Sequence, residues 1–113
     1  MIRRLASLTP IALIACAAPD SAPRMMPPVT GAAYPVTLDA RDYIVTRSAL
    51  DSAPNGEVLR VYRQHAAAFG YDEGLEAKSV ALAFCGEWNR GLSPETQGYF
   101  EPTGSWAFPG GCA

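Results

Sequence analysis

The chain has 113 residues, room for one domain, with 9 basic and 11 acidic residues and a formal net charge of −2. That balance leaves no row of cations to neutralise phosphates, so no nucleic-acid partner is expected. Apolar residues make up 49% of the chain, yet no stretch reaches the roughly 20 apolar residues a spanning helix needs.

In chain order, Arg3 and Arg4 come first, followed by an apolar run over residues 5–15 that is interrupted by Ser7, Thr9 and Pro10. A charged start followed by a short apolar segment is the pattern of an export signal, and the segment is too short to span a bilayer. The run ends in Leu13-Ile14-Ala15-Cys16. This tetrad, an aliphatic residue, a tolerant position, a small residue and a cysteine, resembles the lipobox of bacterial lipoproteins. The resemblance covers residues 1–16 only. It implies a signal peptide over 1–15, cleavage before Cys16, a diacylglyceryl thioether on Cys16 and acylation of the new amine with a chain such as palmitate. Two or more acyl chains hold a protein durably at a membrane, where one holds it marginally. In enterobacterial lipoproteins an Asp directly after the cysteine favours the inner membrane. Here that position is Ala17, which implies the periplasmic face of the outer membrane. Three other readings stand beside this one: a plain secreted protein, residues 5–15 as a core helix with a buried Cys16, which Pro10 and the lack of a polar face oppose, and a start at Met25 or Met26.

Residues 16–35 read as the lipidated cysteine and a tether. Five prolines (Pro19, Pro23, Pro27, Pro28 and Pro35) and the absence of apolar periodicity favour an extended spacer. Without Arg3 and Arg4 the chain keeps seven basic against eleven acidic residues, a net −4, so an anionic membrane surface repels the domain while the anchor holds it.

Residues 36–113 read as one small globular domain. At this size a core alone gives little margin and a covalent staple helps. With Cys16 taken by lipid, Cys85 and Cys112 remain, 27 positions apart. In an oxidising compartment they most simply pair. A reduced, buried Cys85 and an intermolecular bridge are the competing readings.

Alternation of Val36 and Leu38, then of Tyr43 and Val45, against Thr37, Asp39 and Thr46 predicts strands around a turn over residues 39–42. Pro54-Asn55-Gly56 marks a loop. The segment 55–70 is expected to be a helix. Val58, Leu59, Tyr62, Ala66 and Phe69 fall on one helical face, although Val-Leu-Arg-Val-Tyr is also strand-prone. The segment 72–89 suits either a helix or, from Ser79, a central strand, because Val80, Leu82 and Phe84 alternate with small residues; the strand is the reading taken. Tyr99-Phe100 and Trp106-Ala107-Phe108 flank a natural hairpin loop. The sum is an α+β domain, one helix packed on a small antiparallel sheet and braced by one disulfide.

Candidate chemistry is sparse. His65 is the only histidine, and no nucleophile motif frames any serine. The acids Asp39, Asp42, Asp72, Glu73 and Glu76 stand near element ends, where carboxylates are usually solvated. No catalytic, cofactor-binding or metal-binding set is expected. The feature with functional pull is aromatic: Trp88, Tyr99, Phe100 and Trp106, with Phe108, fall within 21 residues; they read first as core packing of a small domain, and beside that as a candidate binding surface. The expected function is a lipid-anchored, non-enzymatic periplasmic module that binds another envelope protein or peptidoglycan. The alternative is a small periplasmic hydrolase working through carboxylates or His65.

Overall fold

In the computed structural model the described residues are 25, 26, 28–94 and 96–113. The leader, Cys16 and the first part of the tether lie outside them.

Strands β1 (Ala33–Leu38) and β2 (Arg41–Ala49) form the expected hairpin. They are joined by Asp39 and Ala40, both in the left-handed region at φ 53° and 63°. A two-residue turn with both residues left-handed matches the twist of the flanking strands. Strand β1 takes in Ala33, Tyr34 and Pro35, which the sequence placed in the tether. Pro35 is accommodated because β1 lies at the sheet edge.

The next segment departs from expectation. Glu57–Arg63 is strand β3, not the start of a helix, and it pairs with β2 on one side and β5 on the other. The β-branched and aromatic content of Val-Leu-Arg-Val-Tyr prevails because two full ladders reward extension at this central position. The alanines at 66–68, which favoured the helix, stand exposed in an irregular connection in which His65 has φ 63°.

The helix lies later: α1 spans Gly74–Gly86, where a strand from Ser79 was expected. Its buried residues are Ala77, Val80, Ala81, Phe84 and Cys85. That is the i, i+3, i+4, i+7, i+8 stripe of an amphipathic helix, built largely from small residues. The large Leu75 and Leu82 point outward. Strands β4 (Tyr99–Glu101) and β5 (Ser105–Pro109) form the expected hairpin. The five strands run antiparallel in the order β1-β2-β3-β5-β4, with α1 across one face. The fold class is therefore as expected, one helix on an antiparallel sheet, although the helix and one strand exchange the places foreseen for them.

The core lies between that face and α1. Val36, Tyr43, Val45, Leu59, Val61 and Phe108 come from the sheet, and Phe69 from the connection before α1. Cys85 at the end of α1 bonds Cys112, with Cα atoms 5.5 Å apart and both residues buried. Cys112 also bridges Leu92, and Ser93 N–H donates to the Gly111 carbonyl at 2.8 Å, so the C-terminal segment is seated by its backbone as well. Near it the buried Arg47 donates to both Glu57 oxygens, Nε to Oε2 at 3.0 Å and Nη2 to Oε1 at 2.9 Å. Gly111, at φ 57°, lies where any Cβ would run into the Glu57 carboxylate.

Loss of the bridge should be costly. Closing a loop of this length contributes about 3–4 kcal/mol in the chain-entropy account, so Cys85→Ala should lower Tm by about 15 °C or more under oxidising conditions. With reductant present the variant and the parent should converge. Thermal melts by circular dichroism read this, and an equal gap with and without reductant would remove the bridge as the cause.

Candidate functional site

Strand parity carries Arg41, Tyr43 and Arg63 to the helix-covered face, because Tyr43 and Arg63 are register partners and Arg41 lies two residues before Tyr43. The first turn of α1 and the residue before it bring Glu76 and Glu73 over them. Arg63 Nη2 donates to Glu73 Oε2 at 2.6 Å and to Glu76 Oε1 at 2.7 Å, while Nη1 reaches Glu73 Oε1 at 3.2 Å and Nε reaches Glu76 Oε2 at 3.3 Å. The Tyr43 hydroxyl donates to Glu76 Oε2 at 2.6 Å. Phe69 supports the group from the core side. Its ring stacks on Tyr43 at 6.1 Å between centroids, and the Arg63 guanidinium lies 4.6 Å over it.

The electrostatics follow from this contact set. The Arg63 guanidinium holds both carboxyls below the usual carboxylate range, helped at Glu73 by the Gly70 N–H and at Glu76 by the Tyr43 hydroxyl. Arg63 is itself raised by Glu76 and Glu73. Burial, and then Glu76, raise the Tyr43 phenol. The cluster is a locked ionic knot in which both acids stay charged across the neutral range.

Two clefts flank it. The larger, about 450 Å3, is lined by Arg41, Tyr43, Arg63, Gln64 and His65, with alanines at 40, 66 and 67. The smaller, about 340 Å3, is lined by Asp39, Arg41, Tyr43, Glu76 and Ser79. Among the described residues no group of three His, Cys, Asp or Glu side chains is placed to hold a metal ion, and no helix is long and apolar enough to cross a membrane.

The four aromatic candidates do not share one surface. Phe100 and Trp106 touch, at 6.0 Å between ring centroids. The Trp106 indole N–H donates to the Gly70 carbonyl at 3.1 Å, and the ring lies so close to Gly74 that a Cβ there would be 2.7 Å from Cη2. Tyr99, 43% exposed, points to the opposite sheet face by strand parity. Trp88 follows the C-terminal end of α1, about 18 Å along the helix from the Trp106 contact. Instead, Phe100 meets Tyr71, edge to face at 6.0 Å. Tyr71, 78% exposed, with Phe100 and Trp106 makes a chain of ring contacts from the residues before α1 to the β4 edge, and Leu75, next to the Gly74 that meets Trp106, is 84% exposed.

Sequence reasoning missed Arg41, Tyr43, Arg63, Tyr71 and Leu75. A signal existed for Arg63: read as a strand, the segment puts it on the same face as Leu59 and Val61, where a cation requires acidic partners. The helical reading put it in solvent. The carboxylates Glu73 and Glu76 were expected to be solvated and are instead bound to Arg63. His65, foreseen within a helix, is exposed in an irregular connection and lines the larger cleft.

Compared with protein-family models, curated proteins and solved structures, the chain matches none.

The pKa directions give a two-sided stability profile. Glu73 and Glu76 are depressed on folding, so their contribution is present above the unfolded value of about 4.3 and is lost as pH falls through the folded values. Tyr43 is raised, so its contribution is present below about pH 10 and is lost as pH rises through the folded value. Tm should be flat between about pH 5 and 9 and fall on either side. Glu76→Gln, which removes a partner from both Arg63 and Tyr43, should make both limbs shallower. Parallel profiles for variant and parent would exclude the cluster as their origin.

Proposed function

We propose that this chain is a lipoprotein of the bacterial envelope, anchored through a lipidated Cys16 at the periplasmic face of the outer membrane, and that its domain is a non-enzymatic binding or assembly module for another envelope protein. The observation that carries the binding reading is the apolar surface at the start of α1, where Tyr71 stands mostly in solvent against Phe100, Phe100 meets Trp106, and Leu75 is exposed in the first helical turn. Apolar side chains grouped in this way are a feature of partner-binding surfaces, and Tyr and Trp are favoured anchors. A buried Cys85–Cys112 bridge suits an oxidising compartment, which supports export. The lipobox-like tetrad supplies the anchor, and the acidic domain stays in solution near an anionic surface.

The hydrolase alternative is the weaker reading. Glycoside hydrolysis needs one carboxyl kept protonated and a second one free to act, whereas Glu73 and Glu76 are both held ionised by the same guanidinium. Among the described residues His65 has no side-chain hydrogen bond to an orienting carboxylate, as a catalytic imidazole would require.

Two measurements test the proposal. A Cys16→Ser variant should move from the membrane fraction to the soluble fraction, and retention in the membrane would overturn the anchor. A photo-crosslinking side chain at position 71 or 75 in intact cells should give a discrete protease-sensitive adduct, absent when the same group replaces Thr37 on the opposite sheet face. Equal labelling from all three positions would overturn the docking surface, and an adduct released by a muramidase would make peptidoglycan the partner instead of a protein.

A further inference from the structure

The two guanidiniums between the clefts are not equivalent. Arg63 has committed all five of its N–H groups: Nε to Glu76, Nη1 to Glu73 and to the Ala67 carbonyl at 3.4 Å, and Nη2 to Glu73 and Glu76. Arg41 is 68% exposed, and its closest carboxylate oxygen, Glu76 Oε2, is 3.6 Å away, beyond hydrogen-bond reach. A largely exposed planar fork, held by Glu76 through one long ion pair, therefore borders the larger cleft.

Residues 65–67 line the same cleft. His65 is left-handed at φ 63°, and among the described residues the N–H groups of His65, Ala66 and Ala67 donate to no backbone carbonyl. Successive amides around a left-handed residue make a concavity that receives anions. Ala40, Ala66 and Ala67 add apolar surface, and the volume of about 450 Å3 lies in the range of small-molecule sites. Asp42, the one acid in the lining, is engaged by the Thr37 hydroxyl at 3.1 Å. The smaller cleft, on the far side of Arg41, is bordered by Asp39 and Glu76 and repels an anion.

We propose that the larger cleft binds a small monocarboxylate with a short aliphatic body, its carboxylate on the Arg41 fork and the amides of residues 65–67, its body against the alanines. One exposed guanidinium, paired with Glu76 only at 3.6 Å, suits a single negative charge. A phosphate dianion would meet that one guanidinium with Asp42 and Glu76 close by. The site is separate from the Tyr71–Leu75 surface, and either can fail without the other.

The test is a titration of the 15N-labelled protein with N-acetyl-L-alanine at neutral pH. Saturable shifts should appear at the amides of His65, Ala66 and Ala67 and at the Arg41 side chain. The methylamide of the same compound, which lacks the charge, should give none, and inorganic phosphate at matched ionic strength should bind more weakly. Arg41→Gln should weaken binding about tenfold or more, and Arg41→Lys, which keeps the charge but loses the fork, by less. Arg41 is exposed, so both variants should keep the parental spectrum elsewhere, which the same experiment reads. Equal shifts with the methylamide, phosphate binding as tight as the carboxylate, or unchanged affinity in both variants would each overturn the proposal.

Discussion

The rest of the domain depends on how closely α1 approaches the sheet. Its contact stripe is narrow and contains two alanines, so the helix axis comes near the strands without a thick side-chain layer between them. Gly74 allows the first turn to press against the Trp106 ring, and Cys85 in the last turn bonds Cys112. Seated at both ends, α1 carries Glu73 and Glu76 over Arg63 and leaves Tyr71 and Leu75 outside. A bulkier stripe would lift the helix, and the ionic cluster would lose its geometry before the apolar core lost much contact.

Charge marks the limits of that core. At one end Arg47 and Glu57 form a buried pair beside the C-terminal segment; at the other, Arg63 holds two carboxylates and Tyr43 caps one of them. Buried pairs return little net stability once desolvation is counted, but breaking one is costly. Their effect here is on register. Sliding β3 by one residue would turn Glu57, Leu59, Val61 and Arg63 away from α1 and leave Arg47 without its acid. The polar ends therefore select one pairing of the sheet, and the apolar middle supplies the driving force.

The two proposed binding surfaces differ in chemistry and place. The surface at Tyr71 and Leu75 is apolar and reaches the β4 edge through the Tyr71–Phe100 contact. The Arg41 cleft is concave and polar and lies at the β1–β2 turn. Both are positioned by the connection between β3 and α1. Its His65 end walls the cleft, and its Phe69 supports the ionic cluster while the neighbouring Gly70 carbonyl accepts the Trp106 indole N–H.

The amino-acid sequence by itself determined the hairpins and the fold class. Period-two alternation over residues 36–46, the Pro-Asn-Gly breaker and the aromatic flanks of 101–105 are local signals, and the structure follows them. Two remaining cysteines in a small domain were enough to anticipate the bridge. The tertiary structure alone decided which of the two ambiguous segments became the helix. Residues 57–63 satisfy both periodicities, and they extend because strands on both sides pair with them. Residues 74–86 hide their helical stripe because alanines form it while the leucines face out, so residue size pointed to the wrong face. The Arg63–Glu73–Glu76–Tyr43 cluster was illegible for the same reason. Its hydrogen-bonded pairs lie 10 to 33 positions apart, and no local pattern brings them together until β3 is a strand and α1 a helix.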